Sequence, residues 1–489
     1  MITSPEAHKN LLLALREILA EEYLLTVEED LKPYECDGLS AYQRLPLAVA
    51  LPNTIEEVQK IIRVCESLRV PVVARGAGTG LSGGALPHEG GIILGLSRFN
   101  QILEIDNDNM TMRVQPGVRN LAISEAAAPY GLYYAPDPSS QIACSIGGNV
   151  AENAGGVHCL KYGLTVHNVL EVKIVTVDGD LITLGSNTLD TPGYDLLALI
   201  TGSEGMLGVI VEVLVKLLPR PPATKVLMAA FDRIEDAGNA VAAVISAGVI
   251  PAGLEMMDQL AIQAAENFAH AGYPLDAEAI LLCELDGNEA QLNEQVSIVA
   301  DTLRAANASS VVMASSTEDK AKLWAGRKAA FPAVGRISPD YYCMDGTIPR
   351  KHIAQVLAEI KALSEYYGLR VANVFHAGDG NLHPLILFDA NQDGELHKAE
   401  RFGADILELC VKMGGTITGE HGVGHEKIDQ MCVQFNEDEL THFHNIKDAF
   451  DPYELLNPGK AIPSLHRCAE LGAMHVHNGE LPHPEIPRF

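Results

Sequence analysis

Arg75-Gly76-Ala77-Gly78-Thr79-Gly80-Leu81-Ser82-Gly83-Gly84 follows the apolar run Val70-Pro71-Val72-Val73-Ala74. Five glycines in ten residues behind a short buried strand make a loop that can aim several backbone N–H groups at a phosphate. Glycine permits the unusual dihedrals and the close approach this needs. The pattern is not G-x-x-x-x-G-K-[ST], which argues against a Walker-type site. Nor does the loop open a helix, as a Rossmann dinucleotide turn would. Alone, such a segment is more often a structural turn. Two further segments change the reading: Ser145-Ile146-Gly147-Gly148-Asn149-Val150-Ala151-Glu152-Asn153-Ala154-Gly155-Gly156 and Gly202-Ser203-Glu204-Gly205-Met206-Leu207-Gly208-Val209-Ile210. All three together suit an extended cofactor lying along backbone, and Asn side chains offer donors and acceptors to a heteroaromatic ring edge.

Working outward, residues 7–32 read as helix, with Leu11, Leu12, Leu15 and Ile18 at helical spacing. Thr54 and Glu57 have capping-box spacing at the start of a helix reaching about Leu68. Strands are expected at 91–96, 111–115 and 170–177, with Asp178-Gly179-Asp180 turning a hairpin into Leu181–Leu184. Gly208–Leu218 is Val- and Leu-rich, as a buried strand would be. Pro219-Arg220-Pro221-Pro222 resists both helix and central strand and marks a boundary. Beyond it, 225–231 reads as strand, 234–248 and 252–270 as helix, 278–286 as strand and 288–306 as helix. Helices at 351–367 and 397–413 flank hairpin-like strands over 370–389. The alternation points to a separate α+β domain over a sheet. The tail from about 464 is rich in His and Pro and reads as irregular.

Inside that hairpin lies Asn373-Val374-Phe375-His376-Ala377-Gly378-Asp379-Gly380-Asn381-Leu382-His383, and downstream Gly419-Glu420-His421-Gly422. Asp379-Gly380 favours a tight reversal that can bring His376 and His383 to one side. Glu420 completes a three-ligand set for a divalent metal such as zinc, manganese or iron, with a position left open. His421 then stands beside it, free to move a proton. Histidine pairs across a turn are more often incidental than ligating. The glycines at 419, 422 and 424 weigh the other way, because they imply close approach or positive φ.

At 489 residues, with 47% hydrophobic and 20% charged residues, the chain is long enough for two or three globular domains. A formal net charge of −29 argues against nucleic acid and against direct binding to anionic lipid. No apolar run is long enough to span a bilayer, and no secretory signal is evident. Nine scattered cysteines without a C-x-x-C pair suit reduced thiols in a cytoplasm and give no iron–sulfur motif.

Together with Pro339-Asp340-Tyr341-Tyr342-Cys343-Met344-Asp345-Gly346-Thr347-Ile348-Pro349-Arg350, Val371–Asp389 and Leu456-Asn457-Pro458-Gly459-Lys460, these segments resemble the FAD-linked oxidases of the vanillyl-alcohol oxidase (PCMH-type) superfamily, in its D-2-hydroxyacid dehydrogenase branch. The likeness covers essentially the whole chain. It implies an α+β protein: a helical segment over 1–45, a PCMH-type FAD-binding domain of two α+β subdomains over 46–222, a substrate or cap domain with an antiparallel sheet over 223–430, and a segment over 431–489 that returns to the FAD domain.

The resemblance also implies roles. Arg75, Gly76, Ala77, Gly78, Thr79 and Gly80, with Ser82 and Gly83 nearby, would cradle the FAD diphosphate. Pro138, Ser139, Ser145, Gly147, Gly148, Asn149, Asn153 and Gly156 would line the flavin and ribityl chain. Glu204, Gly208 and Ile210 would hold the ribose and adenine end, and Asn457 would return towards the flavin. No histidine stands between 71 and 87, and His88 lies beyond the glycines, so FAD is expected to be non-covalent. His376, His383 and Glu420 match the metal ligands of the branch and His421 its base, with Asn381 assisting and His425 either a second support or a turn residue. Arg327, in Trp324-Ala325-Gly326-Arg327, would clamp the substrate carboxylate. Cys343 stands where relatives acting on dicarboxylic substrates carry Lys. That suits glycolate or D-lactate and counts against 2-hydroxyglutarate, unless Arg336 or Arg350 compensates.

The implied reaction is oxidation of a small 2-hydroxy acid, glycolate to glyoxylate. Hydride passes to flavin N5 while the metal-assisted hydroxyl loses its proton. The electrons go on to iron–sulfur and FAD-binding partner subunits of a glycolate oxidase complex and then to quinone, at the cytoplasmic face of the membrane. Three other readings stay open. One is a D-lactate dehydrogenase. Another is a flavin-free, metal-dependent hydrolase using His376, His383, Glu420 and His421, which leaves the glycine-rich segments unexplained. The third is a silent flavin-binding scaffold, against which His421 and Arg327 speak.

Overall fold

The computed structural model describes residues 5–188 and 193–464. The expectation of an irregular tail falls outside them. Sheets of four, five and seven strands organise the described chain, with a small two-stranded ribbon.

The first sheet runs Leu24–Leu25, Ala48–Ala50, Ile92–Gly95, Val72–Arg75. Its last three strands are parallel, because the helix Ile55–Leu68 supplies the crossover. That helix starts where the sequence places it, with the Thr54–Glu57 capping box formed, and it buries Val58, Ile61, Ile62 and Cys65 at helical spacing. Val72–Arg75 delivers the chain into the first glycine-rich loop. Beside it runs the C-terminal segment: Val72 N–H donates to Leu455 O, and Asn457 N–H to Val72 O.

The second sheet is antiparallel, in the order Ile102–Asp106, Thr111–Val114, Val209–Lys216, Val169–Val175, Leu181–Gly185. The hairpin at Asp178-Gly179-Asp180 forms as expected, with Gly179 at φ +77°. Val209–Lys216 is a central strand buried on both sides: Val209 and Val211 join the core of the first sheet, and Ile210, Val213 and Val215 the core of the second.

The seven-stranded sheet is antiparallel throughout: Ala308–Met313, Ala223–Phe231, Ala279–Gly287, Gly253–Asp258, Val371–Phe375, Pro384–Phe388, Asp340–Cys343. Its period-two pattern is read by two helical layers. Leu227, Ala229 and Phe231 face the helices Ile234–Ser246, Glu289–Ala305, Ile353–Tyr367 and Glu395–Lys412. Val226, Met228 and Ala230 face Gln259–Ala269 and Thr317–Val334.

Two expected helices are corrected. The stretch 7–32 is not one helix: Pro5–Arg16 and the single turn Glu28–Leu31 are helical, and between them Leu24–Leu25 is recruited to the edge of the first sheet against Val49 and Ala50. The stretch 252–270 divides into the strand Gly253–Asp258 and the helix Gln259–Ala269, capped by the Asp258 side chain. The strand slot between Ala279–Gly287 and Val371–Phe375 buries all six residues of Gly253–Asp258, which a helix there would not do. Among the described residues, seven cysteines are free thiols.

Buried cations tie down the C-terminal segment, Lys447 with the most partners. Lys447 Nζ donates to Met206 O (2.7 Å), Leu456 O (2.7 Å) and Asp451 Oδ2 (2.6 Å). Lys447→Met leaves those acceptors unpaired beside a buried carboxylate. Urea unfolding is expected to register a loss of about 3–5 kcal/mol; a change below about 1 kcal/mol would show that the tie is not structural.

Candidate active site

The glycine-rich segments meet around one cavity of about 480 Å³. Arg75, Gly76, Ala77, Gly78, Thr79, Gly80, Pro138, Ser139, Ser145, Gly147, Gly148, Asn149, Glu204, Gly208 and Ile210 line it. The glycines are there for space. A Cβ on Gly76 would lie 2.1 Å from Ser145 Oγ, and one on Gly78, at φ +69°, would strike the Arg75 guanidinium. Asn149 Nδ2 and Glu152 Oε2 are buried without a hydrogen-bond partner, as polar groups of a ligand site would be before the ligand is counted. Sequence reasoning gives Glu152 no role, although it stands in the second glycine-rich segment.

Five expected cofactor residues do not line the cavity but hold its walls. Gly83 packs on His425, and Ser82 O accepts from His425 and Glu426 N–H. Asn153 ends the helix Ile146–Glu152 in a left-handed turn, and Gly156 lies against Asp137 and Pro138. Asn457 Nδ2 donates to Gly84 O and Glu204 O, joining the first and third glycine-rich segments. Glu204 does line the cavity. Its carboxylate, however, accepts from Val423 N–H and Gly424 N–H, both at 2.7 Å. It therefore grips the loop just after His421 and is not a free acceptor at a distant ribose.

The histidine cluster opens onto the same cavity through His383, Glu420 and His421. His376 ends the strand Val371–Phe375, and His383 precedes Pro384–Phe388, so the hairpin brings them together; their rings are 5.0 Å apart at 88°. Glu420 Oε1 lies 2.9 Å from His383 Nε2 and 3.3 Å from His376 Nε2. Both rings are tethered from behind. His376 Nδ1 faces the Glu255 carboxylate at 2.9 Å, and His383 Nδ1 donates to Met344 O at 3.2 Å. With each Nδ1–H so engaged, each Nε2 can meet a carboxylate only by carrying a second proton or by sharing a cation with it. The charges agree. Burial opposes charge on both rings, yet Glu255 and Glu420 raise His376 well above its ordinary value, and Cys343 and Glu420 carry His383 to about 10. A divalent cation fits where those two protons stand. His376, His383 and Glu420 place one ligand atom each within 4.8 Å of one another.

His421 stacks on His383 with ring centroids 4.9 Å apart and planes 13° from parallel. Burial pushes it down to about 4, so the ring is neutral and Nδ1 is buried without a partner. A neutral imidazole that lines the cavity has a ring nitrogen able to accept a proton.

What holds this segment is Asp345, fully buried and assigned no role from sequence. Its carboxylate accepts from Gly419 N–H (3.0 Å), Glu420 N–H (3.1 Å) and His421 N–H (2.9 Å). It also accepts from Thr418 Oγ1 (2.6 Å), Asn381 Nδ2 (2.9 Å) and Lys427 Nζ (3.1 Å). Burial disfavours its charge, but Lys427 and then His421 and His383 hold the carboxyl far below the usual range. Asn381, expected near substrate, is a strut of this hub and does not line the cavity. Arg327, expected to clamp substrate, is likewise behind the wall: it is 2% exposed and its Nη2 lies 2.6 Å from Glu255 Oε2. From the same helix, Lys328, Phe331 and Pro332 reach the cavity instead.

The sequence matches the FAD binding domain pattern over residues 46–185 and the pattern of the FAD linked oxidases, C-terminal domain, over 220–461. It is 65% identical to the glycolate oxidase subunit GlcD of Escherichia coli K12, over 98% of this chain and 96% of that one. The chain belongs to the FAD-linked oxidases. Within that family it is 40% identical to the glycolate oxidase subunit GlcD of Bacillus subtilis, over 87% of this chain and 91% of the relative. It is 32% identical to a D-lactate dehydrogenase of Anaerostipes hadrus, over 91% and 96%. The fold is that of p-cresol methylhydroxylase, with a TM-score of 0.80 over 95% of this chain and 98% of that one, at 17% identity. A 4-ethylphenol oxidase from Gulosibacter chungangensis gives 0.78. As an FAD-linked oxidase the chain is an FAD-dependent oxidoreductase, and the flavin-free hydrolase reading is set aside. Among the described residues, no helix is long and apolar enough to cross a membrane.

Asp345→Asn tests the hub of this oxidase. Removing the charge takes its nearest carboxylate from buried Lys427, and the expected loss is about 3–5 kcal/mol in urea unfolding. A variant as stable as the parent would mean that the loop is held by its own turns.

Proposed function

We propose that this oxidase converts glycolate to glyoxylate, with D-lactate as a second substrate. The observation that carries the reading is the convergence of His376, His383 and Glu420, with His421 beside them, on the wall of the glycine-rich cavity. The names borne by its relatives supply the substrate class.

Bound FAD supplies the two-electron acceptor, and a divalent metal (zinc, manganese or iron) supplies positive charge for the substrate's hydroxyl oxygen. His376 and His383 through Nε2, and Glu420 through Oε1, are the residues that would hold the metal. His421 takes the hydroxyl proton as the α-carbon gives up its hydrogen with both electrons, so the alcohol becomes a carbonyl. Asp345 fixes where His421 stands, through the backbone and not the ring. Phe331, whose ring lies 6.2 Å from that of His383, and Pro332 wall the cavity with apolar surface that keeps bulk water from the reacting atoms. Val72–Arg75 and the loop after it hold FAD without a covalent link, since no histidine stands between 71 and 87.

The described residues hold no Cys cluster of the iron–sulfur kind. Electrons therefore leave through iron–sulfur and FAD-binding partner subunits of a complex that meets quinone at the cytoplasmic face of the membrane. The word subunit in the relatives' names supports the existence of partner subunits.

His421→Ala is expected to keep its bound flavin while anaerobic reduction by glycolate slows by about 10²–10⁴-fold. Reduction at the parent rate would remove His421 from the role. Glu420→Ala is expected to lose metal and substrate-dependent reduction together, measured by metal content and flavin bleaching on one sample. An active, metal-free Glu420→Ala protein would sink the metal centre.

A further inference from the structure

Glu255 has no place in the reaction just described, and its surroundings ask for one. It sits in the strand Gly253–Asp258, is 1% exposed, and touches two functional side chains from different elements. Both its oxygens reach His376 Nδ1, at 2.9 and 3.0 Å. Oε2 also lies 2.6 Å from Arg327 Nη2. The sheet explains the meeting: Met256 pairs with Phe375 across the ladder, so Glu255 falls opposite His376. Arg327 comes from the helix Thr317–Val334, packed on that face of the sheet. The Arg327 contact is close but poorly aligned for a hydrogen bond, since Nη2 and Nε are both buried without one. Among the described residues, Glu255 is the carboxylate that forms an ion pair with this buried guanidinium.

We propose that Glu255 is the positioning residue of the metal centre, orienting His376 from behind while Arg327 keeps the carboxylate in place. The proposal rests on the metal reading given above. An ionised carboxylate has no proton to give, so His376 Nδ1 must be the donor, and the lone pair of Nε2 is thereby turned to Glu420 and the cavity. An imidazole held only at its Cβ could rotate or switch tautomer; this one is fixed at both. Arg327 takes the place of a counter-ion. Without it, Glu255 would be a buried charge answered only by the ring it is meant to orient. Arg327 thereby reaches His376 through Glu255.

Glu255→Gln is the test, made on the full-length flavoprotein. Gln keeps the size and an acceptor for Nδ1–H but removes the charge that Arg327 answers. Three quantities are read: flavin per chain, the dissociation constant for added zinc or manganese, and KM against kcat for glycolate. Flavin per chain is expected to stay at the parent value. Metal affinity is expected to fall about 10–100-fold, the usual effect of losing a partner that orients a ligand. KM should rise with it, and saturating metal should restore most of the rate. A general folding role would lower flavin content and would not be relieved by metal. Arg327→Gln is the second variant, useful if Glu255→Gln does not fold; it too should weaken metal binding with flavin retained. Metal affinity unchanged in the folded variants overturns the proposal while leaving the parent reading intact. A parent protein that binds no divalent metal overturns both.

Discussion

Glu420 and His421 both hang from the Asp345 carboxylate. Three successive backbone N–H groups, a threonine hydroxyl, an asparagine amide and a lysine ammonium all point at it. Such an anion in a fully buried place is stable only because its acceptor sites are filled and Lys427 balances its charge. What the carboxylate obtains in return is geometric. Gly419, Glu420 and His421 are held as one rigid piece, so a ligating carboxylate and a proton acceptor keep a fixed offset. Glycine at 419 is required by the same packing, since a Cβ there would stand 2.1 Å from Asn381 Nδ2.

The loop is gripped from the other side as well. Glu204, from the third glycine-rich segment, binds Val423 and Gly424 N–H. Asn457 joins Glu204 to the first segment. The flavin-side and histidine-side walls of the cavity are therefore one hydrogen-bonded assembly. Buried carboxylates on either side of Gly422, Glu152 and Glu204, are both raised by burial, and Glu152 further by Glu204. Crowding of acids is tolerated there because Lys427 and Lys460 lie among them.

The sequence discloses the parts of this design that use rare residue types at fixed spacing. The glycine-rich loops, the His376–His383 hairpin and Glu420-His421 are legible because crowded glycines and paired imidazoles serve few purposes besides close backbone approach and ligation. Most strands and helices follow from periodicity. What stays hidden depends on long-range pairing. Glu255 escapes because 252–270 has helical composition, and only its two strand neighbours make Gly253–Asp258 a strand. Asp345 escapes because its partners lie 36 to 82 positions away. Arg327 and Asn381 are legible but misplaced: the residue types are right for substrate contact, yet each faces a buried carboxylate. Ser82, Gly83, Asn153, Gly156 and Asn457 stand out by the same pattern as the lining residues and serve the wall behind them.

The most direct measurement is the anaerobic visible spectrum of the purified, metal-loaded chain before and after addition of glycolate. The account predicts oxidised flavin bands that bleach on addition, with no partner subunit present, because acceptor, base and ligand set all belong to this chain. A protein that binds flavin and metal yet stays yellow with both glycolate and D-lactate would contradict it.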